Sequence, residues 1–315
     1  MIRFLVKRIL TAIVQIFIVT SIVFFTLQMM PGDPVLMMLS RDGSAVDQEA
    51  YDALEKELGL DQPIGTQYVN WVSDLLHGDM GDSYTENRPV VEAIGDRLPR
   101  TLELAASALF LACLFGIPLG ILSAVRRGGP TDVGLTIVSS LGNSVPVFVL
   151  GYLLVLIFSL GLKLLPSSGF VPLKRGLGEH LKRLILPAAA LAFGVAASIL
   201  RMTRSSMLES LGSESVRPLR AKGLSKRKVY LKHVMRNMLI PVVTIIGLQL
   251  GNLIAGTVLC EAVFNWPGIA TLLVTAINNR DYPLIQGCML VLSAIFILTN
   301  MVVDLMYGLL DPRAR

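Results

Sequence analysis

Ten lysines and arginines crowd residues 201–236, against only Glu209 and Glu214. The centre of this segment reads RPLRAKGLSKRKVYLKHVMRNMLIP over 217–241, basic, glycine-punctuated and set between two long apolar runs. Residues of these types recognise a partner by charge and shape; they do not make or break bonds. The same charges would also suit an anionic lipid surface. Bond-making motifs are missing: there is no G-x-x-x-x-G-K-[ST] loop, no H-E-x-x-H and no G-x-S-x-G. His77, His180 and His233 stand apart from one another. Cys113, Cys260 and Cys288 are odd in number, lack C-x-x-C spacing and read as packing residues. The chemistry expected is docking and passage, with no catalytic residue, cofactor or metal in this chain.

The basic segment must be held by the elements around it. Pro218 suits the first position of a short helix and Gly223 its C-terminal stop. Ser225 can cap a following helix over 226–238, which makes a helix–turn–helix elbow. On either side the chain is membrane. Hydrophobic residues make up 53% of the 315 residues and charged residues 16%, too apolar for a soluble domain. Six charge-free runs are long enough to span a bilayer core: 9–32, 104–125, 133–162, 184–200, 237–260 and 282–303. Arg3, Lys7 and Arg8 precede the first, Arg126 and Arg127 follow the second, the basic segment follows the fourth, and Arg313 and Arg315 follow the sixth. These charges share one side of an alternating six-span chain, so both termini and the basic segment are expected in the cytoplasm. The five basic residues of 163–183 run against that bias. The first run is too long for a signal-peptide core and has no A-x-A site before Pro31, so a retained anchor is expected.

Residues 33–103 form a long outward segment with fourteen acidic and five basic residues before Glu103. Its 47–60 portion reads as a charged helix stopped by Gly59 and Pro63. Tyr68, Trp71, Val72, Leu75 and Leu76 then form one helical stripe. Either a cap packing on itself or a docking surface for delivered substrate is expected there. Gly116, Gly120 and Ala124, and again Gly247, Gly251 and Ala255, recur at four-residue spacing and predict close helix packing. Gly142, Asn143, Ser144 and Pro146 lie together in the third run, where proline and small polar residues predict a kink and a candidate gate. The candidate translocation pathway is therefore Asn143, Ser144, Pro146, Gly247, Gln249 and Asn252. No charged residue falls inside the apolar runs; Glu103, Glu261, Asp281 and Asp304 stand at their edges. That argues against a proton-driven carrier. Sodium coupling through carbonyls and hydroxyls remains compatible, so a stand-alone secondary transporter or channel is the alternative reading.

The motifs, taken in order, resemble one family over nearly the whole chain. They are MMPGDP at 29–34, LGLDQP at 58–63, HGDMG at 77–81, RPV at 88–90, LPRTLELA at 98–105, GIPLGILSAVRRG at 116–128 and ILPAAALAFG at 185–194. RSSMLE at 204–209, the basic segment, FNWPG at 264–268, RDYPLIQG at 280–287 and VDLMYGLLDPR at 303–313 follow. The chain resembles the permease subunits of dipeptide, oligopeptide and nickel ABC importers, and among them the first-permease (B-type) subunit. The resemblance implies an all-α membrane protein with six transmembrane helices, a type I ABC importer permease fold, and a cytoplasmic coupling helix between spans four and five. It divides the chain into a tail and first helix (1–32), an extracytoplasmic acidic helical segment (33–103) and a permease core (104–315) with its coupling segment at 201–236.

The resemblance further implies a second permease, two ATPase subunits that carry ATP and Mg, an extracytoplasmic substrate-binding protein and no nucleic acid. The location implied is a bacterial or archaeal inner or plasma membrane. The substrate would be a peptide, or alternatively a nickel chelate or glutathione. ATPase coupling is carried over to Glu214, Arg217, Pro218, Leu219, Arg220, Ala221, Lys222, Gly223 and Leu224. Pro218 and Leu219 depart from the small pair usual in the family, as does Ser215 from its common aromatic.

Overall fold

The computed structural model describes residues 2–29, 32–39, 47–213 and 234–310. No strand occurs among them; Asp82 and Pro89 form one isolated antiparallel bridge. The helices are α1 (Ile2–Gln28), α2 (Pro34–Leu39), α3 (Gln48–Glu57), α4 (Ile64–Leu76), α5 (Val90–Val125), α6 (Pro130–Ser144), α7 (Val147–Leu154), α8 (Leu177–Gly212), α9 (Met235–Phe264), α10 (Ile269–Asn279) and α11 (Tyr282–Leu310). A π-helical stretch, Val155–Gly161, continues α7. Five helices are long and apolar enough to cross a bilayer, or six if α6 and α7, bent by 111° at their break, count as one span.

Several spans outrun their apolar cores. The run expected at 184–200 is the middle of α8, which extends to Leu177 and Gly212 and carries Pro187 inside it. Arg201 and Arg204 are thus helical, and so is the start of the segment expected as a loop from 201. The second span likewise begins at Val90, so Glu103 lies within α5, and Glu261 lies within α9. The runs at 104–125 and 237–260 hold no charge, with Glu103 and Glu261 at their edges, but the helices that contain them are longer: a helix continues past its apolar stretch where its charged side chains find partners.

The chain divides into two compact units. One comprises Val6–Arg100 and Pro267–Leu298. In it Asp33 Oδ1 accepts from the Val35 and Leu36 amides at 2.8 and 3.3 Å and caps α2, with Pro34 at the first helical position. Tyr51 donates its hydroxyl to the other oxygen of Asp33 at 2.5 Å, tying α3 to the start of α2. Gly59, at φ +68°, ends α3 in a Schellman turn, with its amide on Lys56 O and that of Leu60 on Glu55 O. The stripe on α4 rests on α1: Tyr68 stacks on Phe25 at 5.1 Å between ring centroids, and Trp71 lies 5.3 Å from Phe24. Val72 and Leu75 are half-buried like the two aromatics, and only Leu76 at the end of the stripe, 83% exposed, is left uncovered.

The unit's core joins Leu27, Val90, Ile94, Ile269, Leu272, Leu284, Ile285 and Cys288. Asp281, fully buried, links α10, α11 and the 83–85 turn. It receives the Ser83 and Thr85 hydroxyls at 2.6 and 2.7 Å, the Thr85 amide at 3.0 Å and the Leu284 amide at 3.2 Å.

The other unit comprises Met1–Leu5, Thr101–Trp266 and Thr299–Arg315. α8 is its centre and packs along α6, α7 and α9. Small residues permit this: Gly116 and Gly120 of α5 face the backbone oxygens of Ala196 and Leu200, and Gly247 of α9 faces Val303. Asn265, at φ +47°, closes α9 in a Schellman turn and drops Trp266 fully into the core. Within FNWPG, asparagine tolerates the left-handed turn, tryptophan fills the core and Gly268 caps α10.

Candidate functional site

The pathway residues expected in the third run sit at the break between α6 and α7. Val145 and Pro146 separate the two helices: Pro146 lacks an amide to continue α6 and restrains its predecessor to extended backbone, here ψ 121° at Val145. Asn143, Ser144 and Pro146 are exposed there. Asn143 Nδ2 donates to Ser139 O at 3.0 Å, and its Oδ1 accepts from Ser198 Oγ of α8, also at 3.0 Å. The other three lie apart on α9. Gly247 is buried against Val303, while Asn252 Nδ2 donates to Gln249 Oε1 at 2.8 Å on an exposed face. An apolar cleft of about 290 Å³ lies between α5, α6 and α8, with Phe115, Leu119, Val138, Phe193 and Leu200 in its walls. The coupling residues Glu214, Arg217, Pro218, Leu219, Arg220, Ala221, Lys222, Gly223 and Leu224 lie outside the described residues. α8 ends at Gly212, two residues before the first of them, and α9 begins at Met235.

Three charged clusters in this unit escaped the sequence reading. Asp132, 4% exposed at the start of α6, accepts four hydrogen bonds. Its Oδ1 takes Ser123 Oγ at 2.5 Å and Arg204 Nε at 2.7 Å; its Oδ2 takes the Gly128 amide and Arg204 Nη2, both at 2.9 Å. Arg201, one turn earlier on α8, donates to Ser139 O at 3.2 Å. In the second cluster Glu261, fully buried, accepts the Thr101 hydroxyl at 2.6 Å. In the third, His180 sits buried between Val171 O, 2.7 Å from Nδ1, and Glu103 Oε1, 2.8 Å from Nε2. A carbonyl only accepts, so Nδ1 donates to Val171 O. The signal available beforehand was faint: isolated charges beside apolar runs, with partners far away in sequence.

A bundle built on α8, with a broken third crossing and a basic segment between its fourth and fifth crossings, defines an integral-membrane permease. Over 70% of this chain and 97% of the matched chain, the fold superposes on the inward-facing MetNI methionine ABC transporter with a TM-score of 0.56 and 16% identity. That likeness is one of fold: the type I ABC importer permease. The profile for "Binding-protein-dependent transport system inner membrane component" matches residues 116–315, and its N-terminal companion matches 1–105.

The chain belongs to this family. It is 39% identical to the dipeptide transport system permease protein DppB of Escherichia coli K12, over all of this chain and 99% of that one. It is 40% identical to the di/tripeptide transport system permease protein DppB of Pseudomonas aeruginosa, with the same coverage. The glutathione transport system permease protein GsiC of Escherichia coli O6:H1 is also 40% identical over 100% and 99% of the two chains. The chain is thus a multi-span inner-membrane permease subunit of the peptide-type ABC importers. Membership of a binding-protein-dependent family sets the stand-alone carrier or channel aside.

Proposed function

We propose that this chain is the first (B-type) permease of a heterodimeric pair that conducts a di- or oligopeptide, or a related small solute such as glutathione, into a bacterial or archaeal cell. The observation that carries the reading is end-to-end identity near 40% with permeases of dipeptides and glutathione. Two ATPase subunits bind and hydrolyse ATP with Mg, and an extracytoplasmic binding protein delivers the solute. This chain has no catalytic role of its own. Both termini and the basic segment face the cytoplasm, as the positive-charge bias supports. The 217–224 stretch seats in an ATPase groove. Residues 33–103 receive the binding protein, and 104–315 act as the permease core. The bend at Asn143, Ser144 and Pro146, with Gly247, Gln249 and Asn252, borders the solute path. The test is to purify the tagged chain from its native membrane and identify what accompanies it. A second permease with ATPase subunits, and ATP-dependent uptake of a labelled dipeptide after reconstitution with the binding protein, is the expected result. Recovery of this chain alone, moving solute in ATP-free vesicles, would overturn the proposal.

A further inference from the structure

We infer that Arg204 and Asp132 form the joint that makes α6 and α8 a single lever, carrying motion of the basic segment to the bend at Val145–Pro146. The inference rests on the importer reading, in which the segment after α8 receives the ATPase stroke. α8 runs directly into that segment, its last residue Gly212 standing only eight residues beyond Arg204. α6 has no such connection and must be moved through contacts.

Those contacts occur at successive levels along an antiparallel pair. At one end Arg204 grips Asp132 with two parallel N–H donors. One turn on, Arg201 reaches Ser139 O. Beyond it Gly142 lies so close to α8 that an added Cβ would sit 2.7 Å from that of Ala197, and Gly194 would likewise meet Gly142 O at 3.1 Å. At the far end Ser198 holds Asn143, two residues before the break. The pair is therefore pinned at both ends, and Gly142 lets α6 close onto Ala197 and Phe193 of α8 between them. From Asp132 to Asn143 the lever is about 16 Å long at 1.5 Å per residue.

Asp132 also anchors the lever's near end to its surroundings. Ser123 brings in the end of α5, and the Gly128 amide brings in the turn between α5 and α6. All four hydrogen bonds on this carboxylate come from protein groups, and a planar fork is what two of them require. Lysine keeps the charge of arginine and loses the fork. Arg204 is a positioning residue: it acts on the bend through α6 and touches no solute in this account.

The experiment uses the whole complex with its ATPases, in nanodiscs for distances and in proteoliposomes for uptake. Spin labels go on Ser140→Cys of α6 and Ser205→Cys of α8, both exposed, with the native cysteines replaced by alanine. The expected result is a label-to-label distance that agrees within about 2 Å between nucleotide-free and ATP–vanadate-trapped complex. In Arg204→Lys, with the complex assembled and hydrolysing ATP, the distance changes with nucleotide and dipeptide uptake per ATP falls about tenfold. A merely structural role would lower yield or melting temperature and leave uptake per ATP alone.

A distance in the parent complex that shifts well beyond 2 Å on trapping would overturn the lever, and needs no variant to fold. Unchanged uptake per ATP in Arg204→Lys would overturn the joint. If the parent hydrolyses ATP and moves no dipeptide, the substrate reading fails and the distances alone decide the lever. If no ATPase accompanies the chain, the importer reading and this inference fall together.

Discussion

Replacing Gly120 by alanine should destabilise the protein, whereas the same change at Gly134 should not. Both glycines are helical, and alanine in a helix interior is better than glycine by up to about 1 kcal/mol. Their surroundings differ. A Cβ at Gly134 of α6 meets nothing within 4 Å. At Gly120 of α5 it would lie 2.7 Å from Leu200 O and 2.6 Å from Thr203 Cβ, both on α8. Ordinary contact begins near 3.4 Å, so the main chain of α8 must withdraw by about 0.7 Å, the difference between 3.4 and 2.7 Å. A backbone oxygen has no rotamer with which to step aside. Overpacking of this kind costs about 1–3 kcal/mol, which exceeds the helix-propensity gain. The net expectation is a loss of up to about 2 kcal/mol at Gly120 and a gain of up to about 1 kcal/mol at Gly134. In detergent, a change of 1 kcal/mol should move the unfolding midpoint by about 1–2 °C in a chain of this size. A thiol-reactive dye reporting on buried Cys260 and Cys288 reads that midpoint. If Gly120→Ala melts at or above the parent temperature, the close α5–α8 approach is wrong.

Other consequences are checked with similar means. Thr101→Val removes the hydroxyl that buried Glu261 accepts, and should cost about 1.5–3 kcal/mol, with Thr101→Ser restoring most of it; thermal melts of both variants decide this. Tyr51 should titrate near 12, because its hydroxyl is held by Asp33 and ionising it beside that carboxylate is unfavourable. Its neutral form is the favoured one in the fold, so the contribution is complete below the usual tyrosine range and lost as pH rises through about 12. Ultraviolet titration of the phenols, with Asp33→Asn lowering that one titration, tests it. Gly223→Leu in the basic segment should leave the chain in the membrane while uncoupling uptake from ATP hydrolysis; normal coupled uptake would remove that segment from the ATPase contact.

What the sequence determined by itself follows from regular solvent and backbone rules. Long charge-free runs must be helical in a bilayer, which was enough to find the five long apolar helices and the bent pair that meets at Pro146. Gly59 and Pro63 marked the end of α3 and the start of α4, because few residues accept those backbone angles. The aromatic spacing of Tyr68 and Trp71 identified a helix face, and motif order identified the family.

Tertiary structure decided the rest, because partnership across the chain leaves no local trace. Asp132 meets Arg204 across 72 residues, Glu261 meets Thr101 across 160, and Asp281 meets Ser83 across 198. From the sequence Glu261 and Asp281 were charges at the edges of apolar runs, and Asp132 drew no notice. Only the packed fold shows them as saturated or buried carboxylates. A helix can extend beyond its apolar run when such a partner is present. The 111° bend is of the same kind: Pro146 permits it, but the contacts of Asn143 and Gly142 with α8 hold α6 where it is.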